Sequence, residues 1–192
     1  MATQKERSDS TKTQLLRAFR ASCLARGYDA TTTQVVLDAT GLSKGAMYHH
    51  FRSKSDMMEA LYAQESRQAF TDASADTLDH PSPVARLAGI CVSWIKAVQD
   101  PSVSKILFDI GPYALGHTRA RQIEDALALK EISTLLTQAQ SAGEIIDCDI
   151  QLTAAFLNAM VAEASLHALR TNEDVTQTLE HGVKALLSGL KP

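Results

Sequence analysis

Cysteine is scarce in this 192-residue sequence, and the cysteines that are present lie far apart. They are Cys23, Cys91 and Cys148, and their spacing contains neither a CxxC pair nor a zinc-binding pattern. An odd number of distant cysteines favours free, buried thiols in a reducing compartment over a disulfide framework. We therefore expect no disulfide and no metal site.

Long apolar runs are also missing from the sequence. No run approaches the roughly 20 apolar residues that a membrane-spanning helix needs. The N-terminus, MATQKERSDSTK, is polar and charged, whereas a signal peptide would have an apolar core there. We expect a cytoplasmic protein without a membrane segment.

Two common signatures of catalysis are absent as well. The sequence contains no HExxH zinc motif and no GxxxxGK[ST] phosphate loop, and its six histidines are scattered along the chain. Paired carboxylates such as Glu124 and Asp125 fit a solvated helix face better than an acid–base pair. We therefore expect no enzymatic activity, no catalytic residue and no cofactor.

Positive charge is concentrated near the N-terminus, although the whole chain has a formal net charge of −3. Residues 1–56 contain nine Lys or Arg and five Asp or Glu, a net of +4; the remaining residues contain ten and 17, a net of −7. A basic segment suits a phosphate backbone, and an acidic remainder resists non-specific binding to the same polyanion. The pattern points to a nucleic-acid partner for the N-terminal part.

Helical patterns run along the whole chain, and no stretch alternates polar and apolar residues as a half-buried strand would. Capping residues and Gly or Pro breaks divide it into about nine helices, predicted at 11–26, 32–39, 44–50, 54–78, 83–99, 103–110, 117–141, 150–170 and 174–188. Residues 1–9 are predicted to be a loose polar arm. The predicted fold class is all-α, with a three-helix N-terminal domain at 1–53 and a larger helical domain at 54–192.

Residues 31–54 contain two short helices joined by a tight turn. Gly41 suits the end of the first helix, because glycine takes positive φ without a Cβ clash, and Ser43 is a good N-cap for the second. Met47 and Phe51 share the apolar side of the second helix, while small, basic and aromatic residues lie on its other side. This arrangement is typical of a helix-turn-helix DNA-binding motif.

On these residues the sequence resembles the TetR family of bacterial transcription regulators. The resemblance covers residues 11–58, and its most specific part is the run GLSKGAMYHHFRSK at 41–54. Leu37 and Thr40 depart from the family, which usually has alanine at both positions. The angle between the two short helices is therefore expected to differ slightly. The other matching residues are Leu16, Phe19, Gly27, Tyr28, Thr32, Thr33 and Val36.

A recognition helix reads base edges in the major groove with its N-terminal residues, while neighbouring groups bind phosphates. Lys44 is the best candidate for a base contact, bidentate to guanine, with a phosphate contact or a solvated lysine as the alternative. Tyr48 is expected to bind a phosphate, and the resemblance implies the same for His50 and Lys54. The predicted DNA-contacting residues are Thr32, Thr33, Gln34, Ser43, Lys44, Gly45, Ala46, Tyr48, His49, His50 and Lys54.

The resemblance also implies a small-molecule effector, largely apolar, and a homodimer held by the last two helices. For each residue of these two predicted sites, ordinary core packing within its own chain is the alternative. The predicted ligand-binding residues are Trp94, Phe108, Tyr113, His117, Phe156 and Met160. The predicted dimer-interface residues are Ala155, Ala159, Leu179, Val183, Leu186 and Leu187.

These features predict a ligand-responsive repressor that binds a palindromic operator as a homodimer and leaves the DNA when its effector binds. A TetR-like activator is one alternative, because the sequence does not distinguish activation from repression. A helical interaction protein without effector control is the other.

Overall fold

The computed structural model describes residues 4–191, with only the backbone for residues 4, 5 and 7, and every regular element in that range is helical. Its elements are α1 (Gln4–Ala30), α2 (Thr33–Thr40), α3 (Lys44–His50), α4 (Lys54–Ala75), α5 (Pro83–Val98), α6 (Pro101–Ser104), a π-helical segment (Lys105–Ile110), α7 (Gly111–Leu115), α8 (His117–Ser141), α9 (Ile150–Thr171) and α10 (Thr176–Gly189). The π-helical segment joins α6 to α7 without interruption, which leaves nine separate helical stretches in the described chain. The all-α prediction is confirmed.

Side-chain caps fix the beginning of several helices where the sequence predicts them. The Ser82 hydroxyl accepts a hydrogen bond from Ala85 N at the start of α5, and Pro83 occupies the first turn, where no N–H is needed. The Asp149 carboxylate does the same for Leu152 N at the start of α9, at 3.0 Å. These starts are encoded locally and agree with the predicted ranges.

The N-terminal helix begins earlier than predicted. Residues 4–9 belong to α1, so the predicted loose arm is wrong for them, and residues 1–3 lie outside the described part of the chain. The stretch contains no Gly or Pro that would stop a helix, and the Thr13 hydroxyl donates to Asp9 O one turn back. The predicted stop at Gly27 is a kink (φ 80°, ψ 170°), beyond which residues up to Ala30 follow.

Two further breaks lie elsewhere than expected. The helix predicted to end at residue 110 continues through Gly111 and Pro112. These two residues form the first turn of α7, where the missing proline N–H costs no hydrogen bond. The break follows at Gly116, with φ 80°. Asn172 ends α9 in the left-handed conformation, φ 57°, and does not cap α10; the Asp174 carboxylate accepts from Thr176 N instead.

The chain packs into two compact units. The first unit consists of the chain up to Glu65 together with Lys105–Ala120, and the second of Ser66–Ser104 together with the chain from Arg121 onward. The predicted boundary after residue 53 falls inside the first unit, so the division into 1–53 and 54–192 stays a prediction about functional modules. The core of the first unit confirms Met47 and Phe51 as core residues; it consists of Leu15, Leu16, Phe19, Cys23, Val36, Leu37, Met47, Phe51, Met57, Met58, Leu61, Ile106 and Ile110.

The second unit has its own apolar core, formed by α5, α8, α9 and α10. Among the described helices, α9 is long and apolar enough to cross a membrane by length and composition alone, with a mean hydropathy of 1.3 over its best window. No apolar run of that length was expected. One face of α9 packs Ala154, Leu157 and Val161 into the core, and the core helix of a globular protein has the same composition.

The three cysteines are free thiols, as predicted. Cys23 is buried in the core of the first unit, Cys91 is buried in the core of the second, and Cys148 is half-buried. Burial raises the pKa of the Cys91 thiol to about 12, so this side chain behaves as a small apolar residue at neutral pH.

Candidate nucleic-acid interface

Three local hydrogen bonds shape the turn between α2 and α3. The Thr32 hydroxyl accepts from Val35 N at the start of α2 (3.3 Å), and Gly41 ends that helix with φ 68° and an N–H bond to Leu37 O of 2.8 Å. Ser43 then caps α3 by accepting from Ala46 N at 3.1 Å. The observed helices differ from the predicted ones by at most one residue at each end, since all these signals are local.

One face of α3 is buried and the opposite face is open. Met47 is 1% exposed and Phe51, the C-cap, is 3% exposed, so both lie in the core. Of the predicted contacts on α3 and its cap, Ser43, Lys44, Gly45, Tyr48 and His49 are exposed, whereas Ala46 and His50 are half-buried.

The open face of α3 combines positive charge with little bulk at its N-terminal end. Lys44 and Tyr48, one turn apart, share this face, with the ammonium 5.8 Å from the ring centroid. A Cβ at Gly45 would meet only the Ser43 hydroxyl, at 3.9 Å, so the backbone there can approach a partner closely. A basic face with an accessible backbone has the chemistry that a major groove requires.

The predicted contacts on α2 are partly engaged within the protein. The Thr32 hydroxyl serves as the helix cap, and the exposed Gln34 amide donates to the Asp38 carboxylate at 2.7 Å. Thr33 is half-buried at the first position of the helix. The Thr32 hydroxyl only accepts in this bond and keeps its own proton to donate to a phosphate, and the Gln34 amide has a second N–H.

His49 and His50 lie at the C-terminal end of α3, with ring centroids 5.1 Å apart in an edge-to-face arrangement. Burial lowers the pKa of His50, the neighbouring His49 and Lys12 lower it further, and Asp9 opposes them. The neutral imidazole is therefore favoured in the free protein. An approaching phosphate would favour the charged form, because opposite charges stabilise each other.

Lys54 has a structural role that its sequence position does not show. Its ammonium donates to Tyr28 O at 3.1 Å and lies 3.9 Å from the centroid of the Tyr28 ring, a cation–π contact. It thereby ties the beginning of α4 to the end of α1. The predicted phosphate contact is open to it only through its remaining N–H groups.

Residues 41–45 also spell GxSxG, the pattern of a hydrolase nucleophile elbow, in which the serine follows a strand. Here the serine hydroxyl caps a helix, and the motif joins two helices in a described chain that has no strand. Within residues 4–191, no three His, Cys, Asp or Glu side chains form a group that could hold a metal ion. Ser43 is a helix cap.

The six predicted ligand-binding residues are divided between the two units. Tyr113 in the first unit is 66% exposed and donates to the Asp29 carboxylate at 2.7 Å. In the second unit, Trp94 lies against Phe70 with ring centroids 6.5 Å apart, whereas Phe156 is 56% exposed. Of the others, His117 is exposed, and Phe108 and Met160 are half-buried. The pocket stays a prediction.

The predicted dimer interface needs correction on α10. Leu179, Val183 and Leu187 are buried in the core of their own chain, because the apolar stripe of α10 packs against α5. Leu186 is half-buried, and Ala155 and Ala159 are exposed on α9. The predicted dimer interface did not include the large exposed apolar residues of α9, of which Phe156 was assigned to the ligand site: Leu152, Phe156, Leu166 and Leu169.

Comparison with known proteins identifies the family. Residues 15–61 match the family model described as bacterial regulatory proteins of the tetR family, and residues 84–190 match the tetracyclin repressor-like C-terminal domain. The chain belongs to the TetR family. Its first unit therefore contains the helix-turn-helix of a TetR-family transcription regulator.

Other TetR-family regulators resemble it over most of its length. The HTH-type transcriptional regulator TtgR of Pseudomonas putida is 27% identical over 163 residues, 81% of this chain and 69% of TtgR. The repressor KstR2 of Mycobacterium tuberculosis is 26% identical over 118 residues, 61% of this chain and 59% of KstR2.

Solved structures of TetR-like regulators have the same fold. A TetR-family regulator from Pectobacterium atrosepticum has a TM-score of 0.72 at 22% identity and covers 96% of this chain and 94% of its own. The regulator FadR from Bacillus subtilis, solved with stearoyl-CoA, has a TM-score of 0.70 at 17% identity, with 93% and 98% covered. These structures support an N-terminal helix-turn-helix followed by a helical C-terminal domain.

Proposed function

We propose that this regulator is a ligand-responsive repressor that binds a palindromic operator as a homodimer in the cytoplasm and dissociates when a small molecule binds. The observation that carries the proposal is the open face of α3. It begins at the Ser43 cap and presents Lys44 and Tyr48 beside the small residues Gly45 and Ala46.

In the proposed complex, α3 lies in the major groove. Lys44 donates to N7 and O6 of a guanine, and Ala46 contacts a thymine methyl or leaves room for the backbone. Tyr48, His50, Lys54, Thr33 and the other predicted groups of α2 bind phosphates on either side. These phosphate contacts supply most of the affinity, and Lys44 supplies most of the sequence preference.

The homodimer is supported by the exposed apolar face of α9. Leu152 and Phe156 are each more than half exposed, one turn apart, and Ala155 and Ala159 lie among them. Exposed apolar side chains that share one helix face mark a surface that gains free energy when a partner covers it. A twofold partner would place two copies of α3 about one helical turn of DNA apart, roughly 34 Å.

The effector is proposed to be largely apolar and to bind within the second unit, near Trp94 and Met160. FadR of Bacillus subtilis, with stearoyl-CoA bound, offers an acyl compound as the model ligand. Release from DNA requires that the effector favour the conformation that does not bind DNA.

The test is selection of duplexes from a random DNA library, followed by affinity measurements on two variants. Lys44→Ala should relax preference at one base pair by about 1–3 kcal/mol, whereas Lys54→Ala should weaken binding to all sequences alike and lower the salt dependence by about one ion. Arg67→Ala, an exposed position on α4 in the second unit, is the matched control. If Lys44→Ala changes neither affinity nor preference, α3 is not the reader.

Repression is tested separately with a reporter placed behind the selected sequence. Deletion of the regulator should raise reporter transcription. A fall in reporter transcription on deletion would mean that the protein is an activator. Addition of long-chain acyl compounds should restore transcription if the effector is of that class.

A further inference from the structure

We infer that Tyr113 is a positioning residue for DNA binding: it holds the turn between α1 and α2 so that the N-terminus of α2 is presented to the operator. The inference rests on the proposed contacts of Thr32 and Thr33 with DNA. The sequence analysis predicted Tyr113 as a ligand-binding residue, and this inference gives it a role in DNA binding instead.

The turn itself is short and held from within. It begins at the Gly27 kink and ends at Thr32, the cap of α2. Thr31, fully buried, donates its hydroxyl to Gly27 O at 2.7 Å and its N–H to Tyr28 O at 3.0 Å. Any shift of residues 28–31 therefore moves the cap and the first turn of α2.

Two side chains from elsewhere in the first unit bind neighbouring residues of this turn. Lys54 binds the carbonyl and ring of Tyr28, and Tyr113 binds the carboxylate of Asp29 at 2.7 Å. The Tyr113 side chain is largely exposed, so apolar burial does not explain its position. Its hydroxyl bond to a charged acceptor is its specific contact.

Tyr113 is attached to a rigid base within the first unit. Ile106 and Ile110 of the π-helical segment lie in the core of that unit. The buried Tyr62 hydroxyl donates to Leu107 O at 3.1 Å, and Gly111 packs directly against the Tyr62 ring. Because α7 is fixed in this way, the Tyr113 hydroxyl offers the Asp29 carboxylate a donor in a fixed position.

The contact also controls a negative charge. Asp29 is the acidic residue between the Gly27 kink and the cap of α2, three positions before Thr32. An unrestrained carboxylate at this place can approach a phosphate, and like charges repel. A bond from Tyr113 fixes its direction and supplies a donor to it.

Tyr113→Phe tests the inference, because it keeps the ring and the net charge and removes only the hydroxyl. For a duplex selected by the wild-type protein, affinity should fall about three- to fivefold, as expected for one exposed charge-assisted contact. The melting temperature should stay unchanged. Hydrogen exchange should accelerate at the amides of residues 28–36 and nowhere in the second unit. Thr118→Ala, exposed and also in the first unit, is the control and should leave affinity unchanged.

A double-mutant cycle separates the contact from other roles of Tyr113. In an Asp29→Ala background, Tyr113→Phe should have no further effect on affinity. An unchanged affinity of the single variant, an equal loss in both backgrounds, or a loss that follows the melting temperature would each overturn the inference. If the wild-type protein enriches no duplex at all, the proposed function fails and this inference fails with it.

Discussion

The open face of α3 in the first unit and the open face of α9 in the second differ in chemistry. The α3 face consists of Lys44, Tyr48 and small residues, whose polar groups water can solvate. The α9 face exposes Leu152 and Phe156, which water solvates poorly. The difference fits the proposed partners, a salt-sensitive DNA contact at the α3 face and an apolar contact with a second copy of the chain at the α9 face.

The two faces also differ in how they are specified. Three caps at Thr32, Gly41 and Ser43 fix the α2–α3 motif within twelve residues of sequence. The α9 face is defined by what α5, α8 and α10 leave uncovered, which depends on packing between residues far apart in the chain. Substitutions in each unit can therefore test whether the two surfaces differ in this way.

The largest effect is expected in the first unit, at Gly111. A Cβ at this position would lie 2.2 Å from Tyr62 Cδ2 and 2.7 Å from Ile106 O, so Gly111→Ala forces the packed segment to shift. Overpacking of this kind costs about 1–3 kcal/mol of unfolding free energy, measurable by urea denaturation. DNA affinity should fall with it, since the segment belongs to the same unit as α3.

Gly189→Ala in the second unit is the matched control for that change. A Cβ at Gly189 meets no atom within 4 Å, and the expected change in unfolding free energy is within about 0.5 kcal/mol. Equal effects of the two substitutions would contradict the assignment of residues 105–120 to the core of the first unit.

The next effect concerns the α9 face. Phe156→Glu places a charge among exposed apolar side chains, and the dimer dissociation constant should rise at least about tenfold, as for loss of a central interface anchor. Sedimentation velocity at several concentrations measures it. Leu78→Glu, 65% exposed but outside α9, should leave the dimer intact. Equal dimer dissociation constants for the two variants would mean that the dimer forms through another surface.

The smallest effect is the pH dependence of DNA binding through His50. Its pKa is lowered in the free protein, chiefly by burial, and phosphates should raise it, so binding takes up a proton. Affinity should therefore rise severalfold as the pH falls from about 7.5 to about 5.5. His50→Gln should flatten this dependence, and His49→Gln should largely retain it. A flat wild-type profile would contradict proton uptake by His50 on DNA binding.

Fold stability should respond to His50 in the opposite direction. Because the folded-state pKa is below the unfolded value of about 6.5, the unfolded chain binds more protons in this range. The stabilisation is complete above the unfolded pKa and is lost as the pH falls through the folded one. Urea denaturation of the wild type and His50→Gln, compared across this range, separates the fold from the interface.

How much the sequence reveals depends on the distance over which a feature is encoded. The ranges of α2, α3, α5 and α8 were predictable to within one residue, because caps and breaks act on their immediate neighbours. The start of α1 was predicted at residue 11 and lies at Gln4, because no Gly or Pro in residues 4–10 stops the helix.

The partners of the site residues were harder to predict than the helices. The hydrogen-bond partners of Tyr113 and Lys54 lie 84 and 26 residues away in the sequence, and no local residue spacing predicts such pairs. The apolar stripe of α10 was visible in the sequence, but a stripe alone does not tell whether its own chain or another covers it. The structure answers that for Leu179, Val183 and Leu187, which its own chain covers.

The π-helical segment lets the chain between α6 and α7 lose one residue without changing the directions of the side chains that follow. A π turn holds one residue more than an α turn, so it behaves as an insertion that a single wide turn absorbs. Deleting one residue within Lys105–Ile110 should therefore restore an α turn and leave Tyr113 directed toward Asp29. The same deletion inside α7 ahead of Tyr113 would rotate that side chain by about 100° around the helix axis. Homologous chains that are one residue shorter in the π-helical segment would therefore be expected to keep a side chain in the place of Tyr113.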